Sequence, residues 1–254
     1  MLRKGFRFTH GYDPSMIELH LENAASMWAS RHPGATRGDG YFLTEHPAGA
    51  RAILLDATAS PEKVLALAPN RPLLIEDAFG ILPGGTLRMP IMIRDPQHPP
   101  TLTPSGVRVT EATDPEELAV AEQVMVDGFP FPAYQPWSPG QALPPSLLRN
   151  PGWQFWLARI DSSPAAAAYT FDDGTTTGVY WLATMPEHRS RGAARAILST
   201  AIAARPDRPF TLVATEAGRP LYESLGFTTA TTTTWQTRPP VQQPQPPPHP
   251  AKAG

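Results

Sequence analysis

Apolar residues recur every three or four positions at Ile17, Leu21, Ala24, Ala25 and Trp28, the spacing that lines one face of a helix. The period then shortens. ARAILLDA (50–57) and RPLLIED (71–77) read as strands on either side of a helix that Ser60 can cap and Pro61 can open, and RMPIMIRDP (88–96) reads as a further strand. GILPGG (80–85) lacks the lysine and the serine or threonine of a phosphate-binding loop and reads as a turn.

A proline cluster, RDPQHPPTLTPSG (94–106), interrupts the pattern and reads as a linker. Beyond it, GVRVTEA (106–112) alternates as a strand, and Asp114 and Pro115 can cap and open a helix through Leu118, Val120, Val124 and Met125. The aromatic run GWQFWLARI (152–160) and then PAAAAYTF (164–171) and TTTGVYWLAT (175–184) read as three antiparallel strands, joined by turns at Asp161 to Ser163 and Asp172 to Gly174. A helix beginning near Ser190 follows, with Ala194, Ile197, Leu198, Ala201 and Ile202 on one face, and PFTLVAT (209–215) returns as a strand. That βαβ crossover makes its two strands parallel neighbours or near neighbours. The pattern predicts an α/β chain in three parts: a small α/β domain with its linker over 1–104, a larger mixed-sheet domain over 105–237, and a proline-rich, disordered tail over 238–254.

Composition narrows the function. With 21 basic residues against 23 acidic, the chain lacks the positive field that non-specific nucleic-acid binding requires, so any anion site must be local. The absence of cysteine excludes disulfides, thiolate zinc sites and a cysteine nucleophile, and the seven histidines show no metal-binding spacing. No metal is expected. The first residues, MLRKGFRFTHGYD, carry no apolar run, and no stretch of about 18 apolar residues could span a bilayer, so a soluble, cytoplasmic protein without membrane or nucleic-acid partners is expected.

One stretch concentrates charge. EHRSRGAARAIL (187–198) places Arg189, Ser190, Arg191, Gly192, Ala193, Ala194 and Arg195 where a strand gives way to a helix. A helix N-terminus exposes unpaired N–H groups and about half a positive charge. Gly192, without Cβ, lets an anion approach the backbone, and the arginines can reach outlying phosphates.

This stretch, with the strand YWLAT before it and ATEAGRPLYESLGF (214–227) after it, resembles the Gcn5-related N-acetyltransferase superfamily over about 130 residues. Arg189, Gly192 and Ala194 meet its R/Q-x-x-G-x-G/A motif, and Leu221, Tyr222, Leu225, Gly226 and Phe227 its LYxxLGF motif. The resemblance implies a fold with two splayed parallel strands and acetyl-CoA or another acyl-CoA as co-substrate, its pyrophosphate on the backbone of Arg191 to Arg195. It implies that the backbone of Leu182, Ala183 and Thr184 binds the pantetheine arm, that an N–H near Leu182 polarises the thioester carbonyl, and that Tyr222 protonates the departing thiolate. The acceptor it implies is an amine, attacking directly, and a homodimer is left open.

The chain also departs from the family. Many relatives have a glutamate on the strand before the arginine motif, where this chain has Gly178, so the base is open: Glu111, Asp127 or Glu216 through water, or an amine that arrives neutral. Thr215 stands near the place of a familiar asparagine and could replace its hydrogen bond. Phe129, Phe131, Tyr134 and Trp137 could wall the acceptor pocket or simply pack a core. The small N-terminal domain reads by pattern as a shortened acetyltransferase-like half. A non-catalytic acyl-CoA-binding sensor or scaffold is the alternative, and an O-acyl acceptor a weaker variant of the enzyme.

Overall fold

The structure is a computed structural model and describes residues 14–85, 87–98, 106–129 and 131–240. The first 13 residues, most of the proline cluster and residues 241–254 of the tail lie outside the described residues.

The first helix, α1 (Pro14–Arg31), buries Ile17, Leu21, Ala24 and Ala25, as their spacing demands. Strands β1 (Thr36–Gly38), β2 (Tyr41–His46) and β3 (Gly49–Leu54) follow as an antiparallel meander. The first two were not expected from the pattern. β1 is exposed throughout, and in β2 the two buried positions are Phe42 and the polar Thr44, so no apolar alternation marks it. The short helix α2 (Pro61–Leu65) starts on Ser60, whose hydroxyl accepts the Lys63 N–H. Strands β4 (Leu73–Asp77) and β5 (Leu87–Arg94) come next. The turn between them, expected at GILPGG, hangs on the Asp77 carboxylate, which accepts the N–H groups of Phe79, Gly80 and Leu82.

After the proline cluster come β6 (Arg108–Glu111) and α3 (Pro115–Gly128), the latter capped by Asp114, which accepts two N–H groups. Then follow β7 (Trp153–Ile160), β8 (Ser163–Asp172), β9 (Thr177–Thr184), α4 (Ala193–Ala204), β10 (Phe210–Val213), α5 (Arg219–Glu223) and β11 (Thr228–Arg238).

All eleven strands form one mixed sheet in the order β1-β2-β3-β4-β11-β5-β10-β9-β8-β7-β6. Strands from both sides of the proline cluster interleave, for β5 is hydrogen-bonded to β10 on one edge and to β11 on the other. Arg238, the first residue of the expected tail, is the last of β11 and donates to the carbonyls of Leu67 and Ala68.

Alternation along the strands sorts the core onto two faces. In β7, Phe155 and Leu157 pack with the α3 side chains Leu118, Ala121 and Val124, while Trp156 and Ala158 pack with the α4 side chains Ala193, Ile197 and Leu198. Thus α1 and α3 cover one face, and α4 with the α5 region covers the other.

Candidate active site

The parallel strands β9 and β10 pair only at Phe210↔Thr177 and Thr211↔Gly178. Past that point they separate. β10 turns to β5, and β9 keeps only β8, so the β9 backbone from Val179 to Thr184 has no strand partner on its β10 edge. β9 also carries a bulge. Tyr180 pairs with Tyr169 and Ala183 with Ala167, which sets Trp181 and Leu182 against the single residue Ala168, and Trp181 takes a positive φ of 50°. The fork leaves this part of β9 without a strand partner on its β10 edge, with Leu182 packed against the core on the α4 face and Ala183 buried.

On that face the arginine cluster meets the helix. The sequence places the helix start near Ser190, but α4 begins at Ala193, because Ser190 (φ 61°) and Gly192 (φ 84°) are left-handed, a conformation no α-helix continues. No side chain caps this end. The first helical bond runs from Ala196 N–H to the Gly192 carbonyl, so the N–H groups of Ala193, Ala194 and Arg195 precede the helical ladder. Arg191 bonds Asp161 (3.1 Å) and meets His188 Nδ1 (3.3 Å), Arg195 donates to Ser224 (2.7 Å), and Arg189 and Ser190 are exposed.

Tyr222 on α5 lies on the same face, buried to 9% exposure among the α4-side core residues, with its ring edge-on to Phe227 at 5.9 Å. Burial pushes its phenol up to about 12, so it is protonated at neutral pH. Its hydroxyl makes no hydrogen bond with the described residues. Thr215 follows β10, and its hydroxyl accepts the Gly218 N–H (3.2 Å), so it starts the turn into α5.

The opposite face holds a cavity of about 550 Å³, bounded by α1, the loop after α3, and strands from β3 to β11. Phe129, Phe131 and Tyr134 line it as anticipated, together with Trp28, Trp181 and Trp235; Trp137 does not. Thr215 stands at its edge.

Among the polar side chains lining this cavity that sequence reasoning missed, three form one network. Glu76 of β4 is fully buried, with Oε1 at 3.1 Å from His20 Nε2 and Oε2 accepting from Arg51 (2.7 Å), while His20 Nδ1 meets Thr211 Oγ1 (2.9 Å). Burial alone would push the Glu76 carboxyl up. The hydrogen bond from His20 and the Arg51 charge outweigh it and hold the group at about 2. One signal was available: His20 and Asn23 fall among the apolar positions of α1, on the face that packs inward.

The missing strand carboxylate also has a physical cause. A Cβ on Gly178 would overlap Asn23 Oδ1 and lie within 2.6 Å of the Tyr180 ring and hydroxyl. Asn23 and Tyr180 fill the space, bonded to each other at 2.7 Å. The alternative carboxylates stand elsewhere: Glu111 accepts from Gln154, Asp127 from Gln135, Glu216 is exposed, and among the described residues Glu76 is the one acid lining the cavity.

Comparison with known proteins agrees with this arrangement. Residues 151–229, which run from β7 to the start of β11 and include the fork, α4 and α5, match the family model of the acetyltransferase (GNAT) domain. A GCN5-related N-acetyltransferase from Kribbella flavida superposes with a TM-score of 0.63 at 19% identity, covering 88% of this chain and 96% of that one. A putative GNAT acetyltransferase from Novosphingobium aromaticivorans gives 0.53 at 19%, covering 85% and 97%, and a GCN5-related N-acetyltransferase from Sphaerobacter thermophilus gives 0.57 at 11%, covering 79% and 76%. No curated protein matches the sequence. The two motifs, the forked parallel strands and the family match fall on the same residues, so residues 151–229 match an acetyltransferase (GNAT) domain and the chain has the fold of the GCN5-related N-acetyltransferase structures.

Proposed function

We propose that the protein transfers an acyl group, most simply acetyl, from acyl-CoA to an amine by direct attack. The carrying observation is that one gap in the sheet joins two different surfaces: the uncapped α4 N-terminus with Tyr222 on one face, and the aromatic cavity on the other. A pyrophosphate suits the former, where backbone N–H groups of residues 193–195 precede the helical ladder beside Arg191 and Arg195. The unpaired edge of β9 suits a pantetheine arm, and the bulge at Trp181 and Leu182 can aim an N–H at the carbonyl oxygen.

The amine nitrogen bonds the thioester carbon, the C–S bond breaks, and the Tyr222 hydroxyl gives its proton to the leaving sulfur. The nitrogen loses its own proton to solvent. Glu76 is a poor proton acceptor because it is held at about 2, so the amine enters neutral. The reaction then accelerates with pH until the free amine's own pKa is passed.

Two measurements test this. Acetyl-CoA should raise the melting temperature, since a ligand that binds only the folded state stabilises it, and Gly192→Glu, which puts a carboxylate where the phosphate would sit, should abolish the shift. Thiol release should then appear with an amine panel. An unaltered shift in Gly192→Glu would remove the site from α4, and a shift with no thiol release across the panel would favour a binding module.

A further inference from the structure

Resting on that reading of the cavity as the acceptor site, we infer that the acceptor is a small amine whose body is a flat, uncharged aromatic ring on a short neutral linker, and that Trp181 is the residue that selects it. Size sets the first limit. At about 550 Å³ the cavity falls within the range of sites that enclose one small molecule, roughly 300–1,000 Å³. Trp28, Phe131, Tyr134, Tyr169, Trp181 and Trp235 supply rings to its wall, and a planar apolar group packs against rings better than a flexible polar chain does.

Charge sets the second limit. Among the described residues lining the cavity, Arg51 is paired with Glu76 (2.7 Å), and Glu76 also meets His20, whose other ring nitrogen is taken by Thr211. Burial, with the charges of Arg31, Arg51 and Arg71 behind it, lowers His46, so that ring is neutral at pH 7. A carboxylate on the acceptor therefore finds no open cation in this lining, and an ammonium finds no open anion. The tryptophan faces are taken as well: Arg51 lies over Trp235 (4.6 Å) and Trp28 (5.5 Å), and Arg31 lies over Trp28 (5.5 Å) and Trp181 (5.7 Å), so a protonated amine held there would meet a second positive charge. What the cavity leaves for a ligand is apolar surface, which suits an amine that enters neutral.

The backbone singles out Trp181. In a regular strand neighbouring side chains take opposite faces, yet Tyr180 and Trp181 both line the cavity while Leu182 packs on the α4 face. The bulge does this, and it holds Trp181 at φ 50°, a left-handed conformation that a bulky residue adopts only at a cost. The residue so placed stands on the stretch of β9 that has parted from β10, and its ring meets Phe131 (4.9 Å), Tyr134 (5.9 Å) and Tyr169 (5.7 Å). An aromatic body packed into that group keeps its amine beside the fork, where the proposed reaction brings the thioester carbon.

The test is calorimetric binding of phenethylamine, 2-phenylethanol, L-phenylalanine and spermidine to the full chain at about pH 9, which raises the neutral-amine fraction, with thiol release from acetyl-CoA measured in parallel. Phenethylamine should bind at least about ten-fold more tightly than L-phenylalanine or spermidine, because each of those brings a charge that has no partner in the cavity, and 2-phenylethanol, which keeps the body without the amine, should compete with it. Trp181→Gly removes the ring at a backbone angle that glycine adopts freely, and the acetyl-CoA melting shift, which reads the opposite face, verifies that the variant is folded; its affinity for phenethylamine should fall about ten-fold, and that of Trp181→Phe should fall less. Equal or tighter binding of L-phenylalanine or spermidine, or parental affinity in the Trp181 variants, overturns the inference and leaves the acyltransfer reading intact. No binding of phenethylamine also overturns it, and a larger melting shift with octanoyl-CoA than with acetyl-CoA would then assign the cavity to the acyl chain. Binding with the expected preference but no thiol release upholds the aromatic site and fails the acyltransfer reading.

Discussion

The resemblance implies a strand carboxylate near Gly178, and replacing that glycine with alanine tests why this chain has none there. The added methyl would overlap Asn23 Oδ1 and lie 2.5 Å from Tyr180 Cε2 and 2.6 Å from its hydroxyl, closer than real Cβ contacts come. An exposed amide would swing aside. Asn23 has no exposed surface: its Nδ2 donates to the Phe171 carbonyl (3.1 Å), Asp173 (2.9 Å) and the Thr176 carbonyl (2.8 Å), and its Oδ1 accepts the Tyr180 hydroxyl. Moving it forfeits two or three bonds at about 1 kcal/mol each, and overpacking adds about 1 to 3 kcal/mol. The reduced freedom of the unfolded chain returns about 0.4 to 1 kcal/mol. The net expectation is a loss of about 2 to 4 kcal/mol, a large part of a stability of about 5 to 15 kcal/mol. Denaturant titration of Gly178→Ala should show the midpoint shift at constant slope, with Gly34→Ala, whose Cβ meets nothing within 4 Å, as the near-neutral control. A Gly178→Ala protein within about 1 kcal/mol of the parent would refute the packing argument, and with it the reason given for the missing carboxylate.

The remaining predictions concern single groups. Tyr222→Phe removes a hydroxyl that bonds no described residue, so the melting curve should hardly move while acyl transfer falls about 10² to 10⁴-fold if Tyr222 is the proton donor; unchanged turnover in the folded variant ends that role. Glu76→Gln leaves Arg51 with a weakened partner in a buried setting and should cost about 3 to 5 kcal/mol near pH 7, read by denaturant titration. Because folding lowers Glu76 from its ordinary 4.5 to about 2, its contribution is complete above pH 4.5 and is lost as pH falls through 2; the parent's stability should fall across that window more steeply than the variant's.

Local order was largely legible. The helix spacing from Ile17 to Trp28, the Ser60 and Asp114 caps, and the aromatic alternation of β7 each depend on residues a few positions apart, and each produced its element. The arginine-rich loop at the start of α4 was legible for the same reason, since Arg189 to Arg195 are near neighbours in sequence. The cavity was not. Its polar group joins positions 20, 51 and 76, and what makes Glu76 informative is the absence of water around it, which no sequence window displays. The start of α4 slipped by three residues because the expectation weighed helix-forming side chains, whereas the left-handed turns at Ser190 and Gly192 decide where a helix can begin. β1 and β2 escaped notice because little of them is buried.

The position of β5 has a consequence for how the chain is made. Both neighbours of this strand lie far downstream, so a ribosome that has released Arg94 must add about 115 residues before β10 exists and more before β11 does. At about 5 to 20 residues per second that is a wait of roughly 6 to 25 seconds, during which an apolar strand has two open edges. The composition of LRMPIMIR answers that exposure: Arg88 and Arg94 bracket the run, and Pro90 withholds an N–H that a passing strand would need. Residues that read in the finished sheet as blemishes in a central strand are, on the nascent chain, its protection until its partners arrive.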